Sequence, residues 1–246
     1  MIKISLSDLD QDRFNYKVAK AHLNRLDDVE ELIFKAMELR AELVIVRVST
    51  EAIDIVQQLE AKNALLMDTL VYFQKKKVDG YDVELPKGYS SRLAMYTDAE
   101  PIGNLAKECF RGYFGHYHAD KRLNDDDCDA VYSSWAENSC RKGALADGVI
   151  VIEKADEFAA FATLKTLDKN SFEGVLFGVA RNHQGVGLHL NLMQLSQNWG
   201  VSRDLHRMVT STQINNVMVQ KNWCRVGLEP MNSFYTLHLW LNYDSI

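Results

Sequence analysis

The chain lacks the features that mark several large classes of protein. Its cysteines number only four and form no CxxC pair; they are Cys109, Cys128, Cys140 and Cys224. A chain of 246 residues buries enough apolar surface to fold without disulfide bonds, so free thiols are expected. No apolar run approaches the roughly 18 residues that a membrane-spanning helix needs, and no segment has low complexity.

Basic residues are outnumbered by acidic ones. Lysine and arginine total 28 against 34 aspartate and glutamate residues, which gives a formal net charge of −6. A surface made mainly for nucleic acid is therefore not expected. The first twenty residues are polar and contain no apolar segment typical of a signal peptide. We therefore expect a cytoplasmic protein with no nucleic-acid or membrane partner; its oligomeric state stays open, with a homodimer as one option.

Hydrophobic periodicity switches repeatedly between two and about 3.6 residues, which predicts a mixed α/β chain. Residues 1–77 fit a small αβ domain, with one of its helices over 26–41. Residues 78–91 are polar and contain proline and glycine, as in a linker. Residues 92–246 then read β-α-α-β-β-β-α-β-α-β. They include an irregular stretch over 111–124, a helix over 125–143 and an antiparallel meander before the third helix.

A short turn at the start of that helix carries the clearest chemical signal. Gln184-Gly185-Val186-Gly187-Leu188-His189 follows an apolar strand and precedes an amphipathic helix. Free amides at a helix N-terminus, together with the helix dipole, favour an anion such as phosphate. Glycines let the backbone approach that anion closely. An ordinary strand-to-helix turn is the alternative, because the pattern matches neither GxGxxG nor a P-loop.

Two motifs together resemble the GCN5-related N-acetyltransferase (GNAT) family. That family has Gln/Arg-x-x-Gly-x-Gly/Ala before a helix, which Gln184 and Gly187 match while His189 departs from it. Its second motif, Asn-x-x-Ala-x-x-x-Tyr-x-x-x-Gly-Phe, is matched by Asn216, Val219, Gly227 and Leu228, with Trp223 where tyrosine is usual. The segments "SSWAENS", "GHYHAD" and "TSTQINNVMVQKNWCRVGL" further resemble the dTDP-fucosamine (dTDP-4-amino-4,6-dideoxygalactose) N-acetyltransferases.

The resemblance implies a GNAT fold: a mixed, mostly antiparallel central sheet flanked by helices, preceded by the smaller αβ domain. It implies transfer of an acetyl group from acetyl-CoA to the amine of a nucleotide-linked amino-deoxy sugar, for synthesis of a surface polysaccharide such as an O-antigen. No metal is expected. The residues expected to bind CoA are Phe177, Gly178, Val179, Gln184, Gly185, Val186, Gly187, Leu188, His189, Thr212, Asn216 and Trp223.

The family usually protonates the leaving thiolate with the tyrosine that Trp223 replaces. An indole N–H is not a usable acid near neutral pH. Three interpretations stay open: the hydroxyl of Tyr235 or Tyr243 acts instead, the thiolate leaves without help because thiols are fairly acidic, or the site is impaired and only binds.

The proton of the acceptor amine needs a base, for which His116 and His118 are the candidates since imidazole titrates near neutral pH; a water chain is the alternative. Aromatic and cationic side chains around them suit a nucleotide diphosphate. The residues predicted to line the substrate site are Tyr113, Phe114, His116, Tyr117, His118 and Arg122, with Lys121 beside them. His116, His118 and Asp120 are residue types that bind metals. No further cluster of ligands accompanies them in the sequence, so they are weak evidence for a metal site. His238 is expected to be structural.

Two other functions compete with this one. The chain could acetylate another small amine or a protein N-terminus. It could also be a non-catalytic CoA-binding domain, which Trp223 and His189 favour.

Overall fold

The structure is a computed structural model that describes residues 2–24, 28–141 and 145–243. Two short 3₁₀ turns lie at Tyr96–Asp98 and Arg181–His183. The helices are α1 (Asp8–Phe14), α2 (Val29–Glu38), α3 (Ile53–Ala61), α4 (Ala99–Cys109), α5 (His116–Ala119), α6 (Asp125–Ser139), α7 (Leu188–Val201) and α8 (Val217–Arg225). None of the described helices combines the length and the hydropathy that a bilayer crossing requires.

The strands are of ordinary length except for two long ones, β4 and β10. They are β1 (Ile4–Leu6), β2 (Val18–Leu23), β3 (Leu43–Ser49), β4 (Leu65–Lys75), β5 (Tyr89–Leu93), β6 (Gly148–Lys154), β7 (Glu157–Thr166), β8 (Ser171–Val179), β9 (Arg207–Gln213) and β10 (Glu229–Trp240). Among the seven strand pairs whose register the structure describes, five are antiparallel and two are parallel.

The chain divides into two compact units, each built from separated stretches of sequence. Unit 1 consists of Met1–Val71, Phe114–Cys128 and Asn232–Ile246, and unit 2 consists of Tyr72–Tyr113 and Asp129–Met231. A compact unit of the structure need not be a domain that folds on its own, so these units do not test the predicted domains. The domain boundaries at 77 and 91 therefore stay a prediction.

Unit 1 is built on a sheet in which β1 pairs with β2, β2 with β3, and β3 with β10. The β2–β3 pair is parallel and the others are antiparallel, so α2 serves as the crossover between two parallel strands. Leu32 of α2 and Leu59 of α3 are fully buried in the same apolar cluster as Val44 and Val46 of β3. This cluster is the core of unit 1.

Unit 2 is a meander of β5, β6, β7 and β8, followed by the parallel strand β9. Helix α4 packs Ile102 in one cluster with Val149 and Val151 of β6. An ideal Cβ on the neighbouring Gly148 would lie 2.3 Å from the indole nitrogen of Trp199 in α7. Because successive strand residues face opposite sides of a sheet, α4 and α7 cover opposite faces.

The parallel ladder between β8 and β9 is short. It pairs Ser171–Gly174 with Arg207–Thr210, although β8 continues to Val179 and β9 to Gln213. The second half of β8 therefore extends past its last partner on β9.

The predicted mixed α/β fold, with a mostly antiparallel sheet flanked by helices, is confirmed. Three elements differ from the predictions. Helix α1 was not expected, because its polar sequence carries almost no amphipathic signal; α5 lies in the stretch predicted to be irregular; and β5 begins at Tyr89, inside the predicted linker. The predicted helices over 26–41 and 125–143 begin and end, respectively, at residues outside the described ranges.

Candidate functional site

The turn between β8 and α7 has the backbone conformation that its glycines permit. Gly185 and Gly187 have φ angles of 82° and 93°, a left-handed region that side chains with a Cβ rarely adopt. A Cβ built on either glycine would meet nothing within 4 Å. The glycines thus serve the conformation of the turn, and the space beside the turn is open to a ligand.

The same turn presents unpaired amides. Gly187 is the N-cap of α7 and makes no side-chain cap, and the helical hydrogen bonds begin with the amide of Asn191 donating to the carbonyl of Gly187. The amides of residues 188–190 therefore precede the hydrogen-bonded part of a 14-residue helix. Together with the helix dipole they form a site that suits an anion.

His189 lies on the inner side of this helix start. Its ring contacts Phe177 of β8 edge to face, with 5.8 Å between centroids, and its Nε2 is buried without a hydrogen-bond partner. Burial lowers the pKa of His189 to about 4, so the ring is neutral at pH 7. The histidine therefore brings no charge to the turn at neutral pH.

The main chain of β8 offers hydrogen-bonding groups beyond the end of the β8–β9 ladder. The amide of Ala180 donates to the carbonyl of Ala159, and that of Leu176 donates to the hydroxyl of Thr163 on β7. Since main-chain groups alternate along a strand, the N–H groups of Phe177 and Val179 point to the opposite side, where β9 no longer pairs. An extended ligand could add to β8 there as a strand does.

Gly178, which was expected to contact CoA, has a packing reason to be glycine. A Cβ there would lie 2.3 Å from a ring carbon of Phe161 and 3.1 Å from the sulfur of Cys109. This side of β8 faces α4. The role of Gly178 in binding stays a prediction.

Side chains near the turn link several of the predicted CoA residues. The amide nitrogen of Gln184 donates to the carbonyl of Val179 at 3.2 Å. Asn216 is the N-cap of α8, and its side-chain amide donates to the hydroxyl of Thr212 at 3.1 Å. The exposed side chain of Val186 and the buried side chain of Leu188 flank Gly187. The predicted CoA residues from Phe177 to Trp223 all belong to unit 2.

Trp223 is a core residue of unit 2. Its side chain is 2% exposed and packs edge to face on Phe73, with 5.4 Å between ring centroids. Its indole nitrogen has no hydrogen-bond partner. An indole in this setting has no acidic proton to give.

The two candidate bases lie in unit 1, on the short helix α5. The Nδ1 of His116 lies 3.0 Å from the Nε2 of His238 on β10. The Nδ1 of His238 lies 2.8 Å from a carboxylate oxygen of Asp120, which also accepts from the indole of Trp240 at 2.7 Å. The predicted base therefore stands at one end of a hydrogen-bonded chain.

His118 has a different arrangement. The amide of Gly115 donates to its Nδ1 at 3.3 Å, which uses the lone pair of that nitrogen. A neutral His118 consequently carries its proton on Nε2 and offers a donor there rather than an acceptor. This geometry favours His116 over His118 as a proton acceptor.

The predicted substrate loop is divided between the units. Tyr113 belongs to unit 2, where its ring lies 5.3 Å from that of Tyr132. Phe114 in unit 1 is 59% exposed, and the ammonium of Lys121 lies 5.9 Å from its ring. The guanidinium of Arg122 lies 5.4 Å from the ring of Trp240.

Three tyrosines that the sequence analysis gave a role are hydrogen-bonded or packed inside unit 1. Tyr117 is buried and donates its hydroxyl to Asp10 at 2.8 Å. Tyr243 donates its hydroxyl to the carbonyl of Ala41, also at 2.8 Å. Tyr235 packs against the apolar cluster of unit 1. The roles of these residues in substrate binding or acid catalysis stay predictions.

From the sequence, His238 was expected to have a structural role, and nothing connected it with Asp120. The two residues are 118 positions apart, and only the pairing of β10 within unit 1 places them together. Alternation along β10 places His238 on one face but cannot tell what lies opposite it. Among the described residues, no group of three or more histidine, cysteine or acidic side chains is arranged to hold a metal ion.

No protein-family model matches the chain, and no curated protein does. Solved structures do resemble it. A GCN5-related N-acetyltransferase from Sphaerobacter thermophilus superposes with a TM-score of 0.62 at 12% identity, covering 96% of this chain and 75% of that one. Another from Kribbella flavida gives 0.62 at 14% identity, covering 93% and 83%.

A third structure, a tandem GNAT protein from the clavulanic acid biosynthesis pathway, gives a TM-score of 0.58 at 12% identity. It covers 90% of this chain and 74% of that protein. At these identities the likeness concerns architecture. The chain has the fold of the GCN5-related N-acetyltransferases.

Proposed function

We propose that the chain is an acetyl-CoA-dependent N-acetyltransferase. The early end of the β8–β9 ladder, beside a glycine turn that opens α7, carries this proposal. The edge of β8 beyond the ladder offers main-chain groups to an extended arm, and the glycine turn offers amides to an anion. Coenzyme A has both parts, a pantetheine arm with amide groups and a pyrophosphate. The GNAT fold of the chain agrees with this ligand.

The residues that would hold acetyl-CoA follow from the two features. The amides of 185–189 would bind the pyrophosphate, and the main-chain groups of Phe177 and Val179 would bind the arm. Acetyl-CoA supplies an activated acetyl group as a thioester. The protein contributes mainly by holding both reactants in line, and an N–H group of β8 would polarise the thioester carbonyl.

For the acceptor we propose the amine of a nucleotide-linked amino-deoxy sugar. The sequence resemblance to amino-sugar N-acetyltransferases supports it, as does the exposed ring of Phe114 with Lys121 beside it. The nucleobase of such a substrate can stack on this ring, and the lysine ammonium can form an ion pair with a phosphate. Release of CoA thiol, measured with nucleotide-linked amino sugars, free amino sugars, amino acids and peptides, tests this acceptor. A clear preference for an amine without a nucleotide would contradict it.

The coenzyme site is tested by replacing Gly187 with valine. Valine strains the φ angle of 93° and tilts the amides of the turn. Hydrogen bonds to charged groups contribute about 1.5–3 kcal/mol each, so CoA affinity should fall by roughly 10- to 100-fold in calorimetric titration. Gly112→Val is the matched control, because Gly112 also has a positive φ, 76°, and open space around its Cβ. Equal CoA affinity in folded Gly187→Val and wild-type protein would exclude the turn as the pyrophosphate site.

The buried Trp223 favours one competing function, a domain that binds CoA without catalysis. The two functions differ in turnover and not in binding. Tight CoA binding with no thiol release for any amine in the panel would support the binding domain and contradict the enzyme.

A further inference from the structure

An irregular segment of unit 2 lies along α7, the helix that begins at the glycine turn. It consists of residues 78–88 and of Tyr89, with which β5 begins, and we call it the strap. Its hydrogen bonds to the segment from β8 to β9 follow the reverse order of the chain. Strap residues 78, 81, 84 and 89 meet residues 206, 198, 191 and 183, respectively. The strap therefore runs antiparallel to α7.

Two asparagines of α7 hold the middle of the strap. Near the end of the helix, the carboxamide of Asn198 accepts from the amide of Tyr81 at 2.7 Å and donates to its carbonyl at 2.9 Å. In the first turn, the carboxamide of Asn191 donates to the carbonyl of Glu84 at 3.1 Å. Seven residues of helix and three residues of extended chain both span about 10 Å. The spacing of these contacts thus fits an extended strap along the helix axis.

Asn191 joins the strap directly to the glycine turn. Its side chain is buried, with the residue 7% exposed, and bonds to Glu84 of the strap. Its own amide donates to the carbonyl of Gly187 at 3.2 Å, and Gly187 is the N-cap of α7. A displacement of the strap at Glu84 is therefore passed through a single residue to the turn.

Tyr89 holds the chain just before the turn. Within residues 181–187, a stretch that the structure describes completely, His183 is the one buried residue. Its Nδ1 lies 2.8 Å from the hydroxyl of Tyr89, and the two rings meet edge to face with 5.6 Å between centroids. A Cβ on Gly185 or Gly187 would meet nothing within 4 Å. Since the glycines have so few neighbours, the conformation of the turn depends on how its two ends are held.

We propose that the strap positions the glycine turn for the coenzyme, with Tyr89 and Asn191 as the positioning residues at its near end. They act through His183 and Gly187 and do not themselves touch the coenzyme. A turn that is held in its binding conformation loses less freedom when a ligand binds, so the affinity is higher. This inference rests on the proposed function, because CoA is the ligand whose affinity the strap controls.

Matched substitutions at the two ends of the strap test this role in the full chain. Tyr89→Phe and Asn191→Leu remove the near-end hydrogen bonds. Tyr81→Phe and Asn198→Leu are the far-end controls; the first loses the bond from Lys75 to the Tyr81 hydroxyl, and the second loses the pair with the Tyr81 main chain. In calorimetric titration, each near-end variant should raise the Kd for CoA by roughly 3- to 10-fold. The far-end variants should keep the wild-type Kd.

Stability and kinetics separate positioning from a general loss of structure. All four variants lose hydrogen bonds, so all four should lose stability in urea unfolding, and their affinities are compared under conditions in which each is folded. The near-end variants should raise KM for acetyl-CoA with kcat nearly unchanged. Equal weakening of CoA binding by near-end and far-end variants would overturn the inference, and so would unchanged binding in all four.

The order of the turn gives a readout that needs no ligand. Nitrogen-15 relaxation should show lower order parameters at Gly185 and Gly187 in Tyr89→Phe and Asn191→Leu than in the free wild type, and unchanged values in the far-end variants. If the wild type binds no CoA, the proposed function fails, while the order parameters still decide whether the strap positions the turn. If it binds CoA, but the near-end variants keep wild-type order and affinity, the inference fails and the proposed function stands.

Discussion

At the scale of single residues, the glycines of β8 and of the following turn have different structural roles. Gly187 is needed for its positive φ, with nothing near its missing Cβ. Gly178 is needed for the space that Phe161 and Cys109 fill. The sequence shows both as glycines near an apolar strand. Only the neighbours in space separate a conformational role from a packing role.

The packing role of Gly178 predicts a loss of stability. In Gly178→Ala the new methyl group would lie 2.3 Å from Phe161, and overpacking of this kind typically costs about 1–3 kcal/mol. Urea unfolding measures the difference. Gly80→Ala is the control, because its Cβ meets nothing within 4 Å; its stability should be equal or slightly higher. A similar small effect in both variants would contradict the close packing.

Asp120 predicts how the stability of unit 1 depends on pH. Its pKa falls from 3.8 to about 2 on folding, so its stabilisation is complete above pH 4 and is lost as the pH falls through about 2. The contribution at neutral pH is on the order of 2 kcal/mol. Unfolding followed by circular dichroism between pH 2 and 5 should show a steeper loss for wild type than for Asp120→Asn. Parallel curves would mean that the carboxylate has the same pKa in both states.

At the scale of elements, the decisive feature is the unequal pairing of β8. Its β7 side is paired as far as Val179, whereas its β9 side is paired only as far as Gly174. Local sequence predicts both strands but carries no information on where two strands separate. The point of separation is a matter of register between two strands whose paired residues, such as Gly174 and Thr210, are 36 positions apart.

The separation of these strands predicts a pattern of amide exchange. The amides of Phe177 and Val179 should exchange with solvent faster than that of Ala180, which donates to Ala159. Adding CoA should slow Phe177 and Val179 and leave Ala180 unchanged, because an added arm would pair with the unpaired edge. Hydrogen-exchange NMR gives all three rates. Equal protection of the three amides before CoA is added would show that the edge of β8 is not available.

At the scale of the whole molecule, unit 1 draws together three stretches of chain that the sequence places far apart. The linker at 78–91 stays a prediction, and β5 begins inside it at Tyr89. The αβ pattern of the residues before it was readable from periodicity. That 114–128 and 232–246 join the first 71 residues was not. This assembly depends on the pairing of β10 with β3, and neither strand carries a local signal for its partner.

Coenzyme binding predicts a change in the stability of the folded chain. A ligand that binds only the folded state at 100 times its Kd stabilises it by about 2.7 kcal/mol. Thermal unfolding of the wild type should shift upward with CoA, while Gly187→Val at the same CoA concentration should shift much less. An identical shift in the two proteins would place the CoA site elsewhere.

The sequence by itself determined the fold class, the order of most elements and the glycine turn before α7, because periodicity and glycine placement act over a few residues. It also singled out His116 and His118 as candidate bases. Only the tertiary structure decided that β8 separates from β9, that Gly178 is needed for packing, and that His116 joins His238 and Asp120. These facts depend on contacts between residues that are distant in the chain, as far as 122 positions for His116 and His238, or on which face a strand turns to its neighbours. Such contacts form only when the chain is packed.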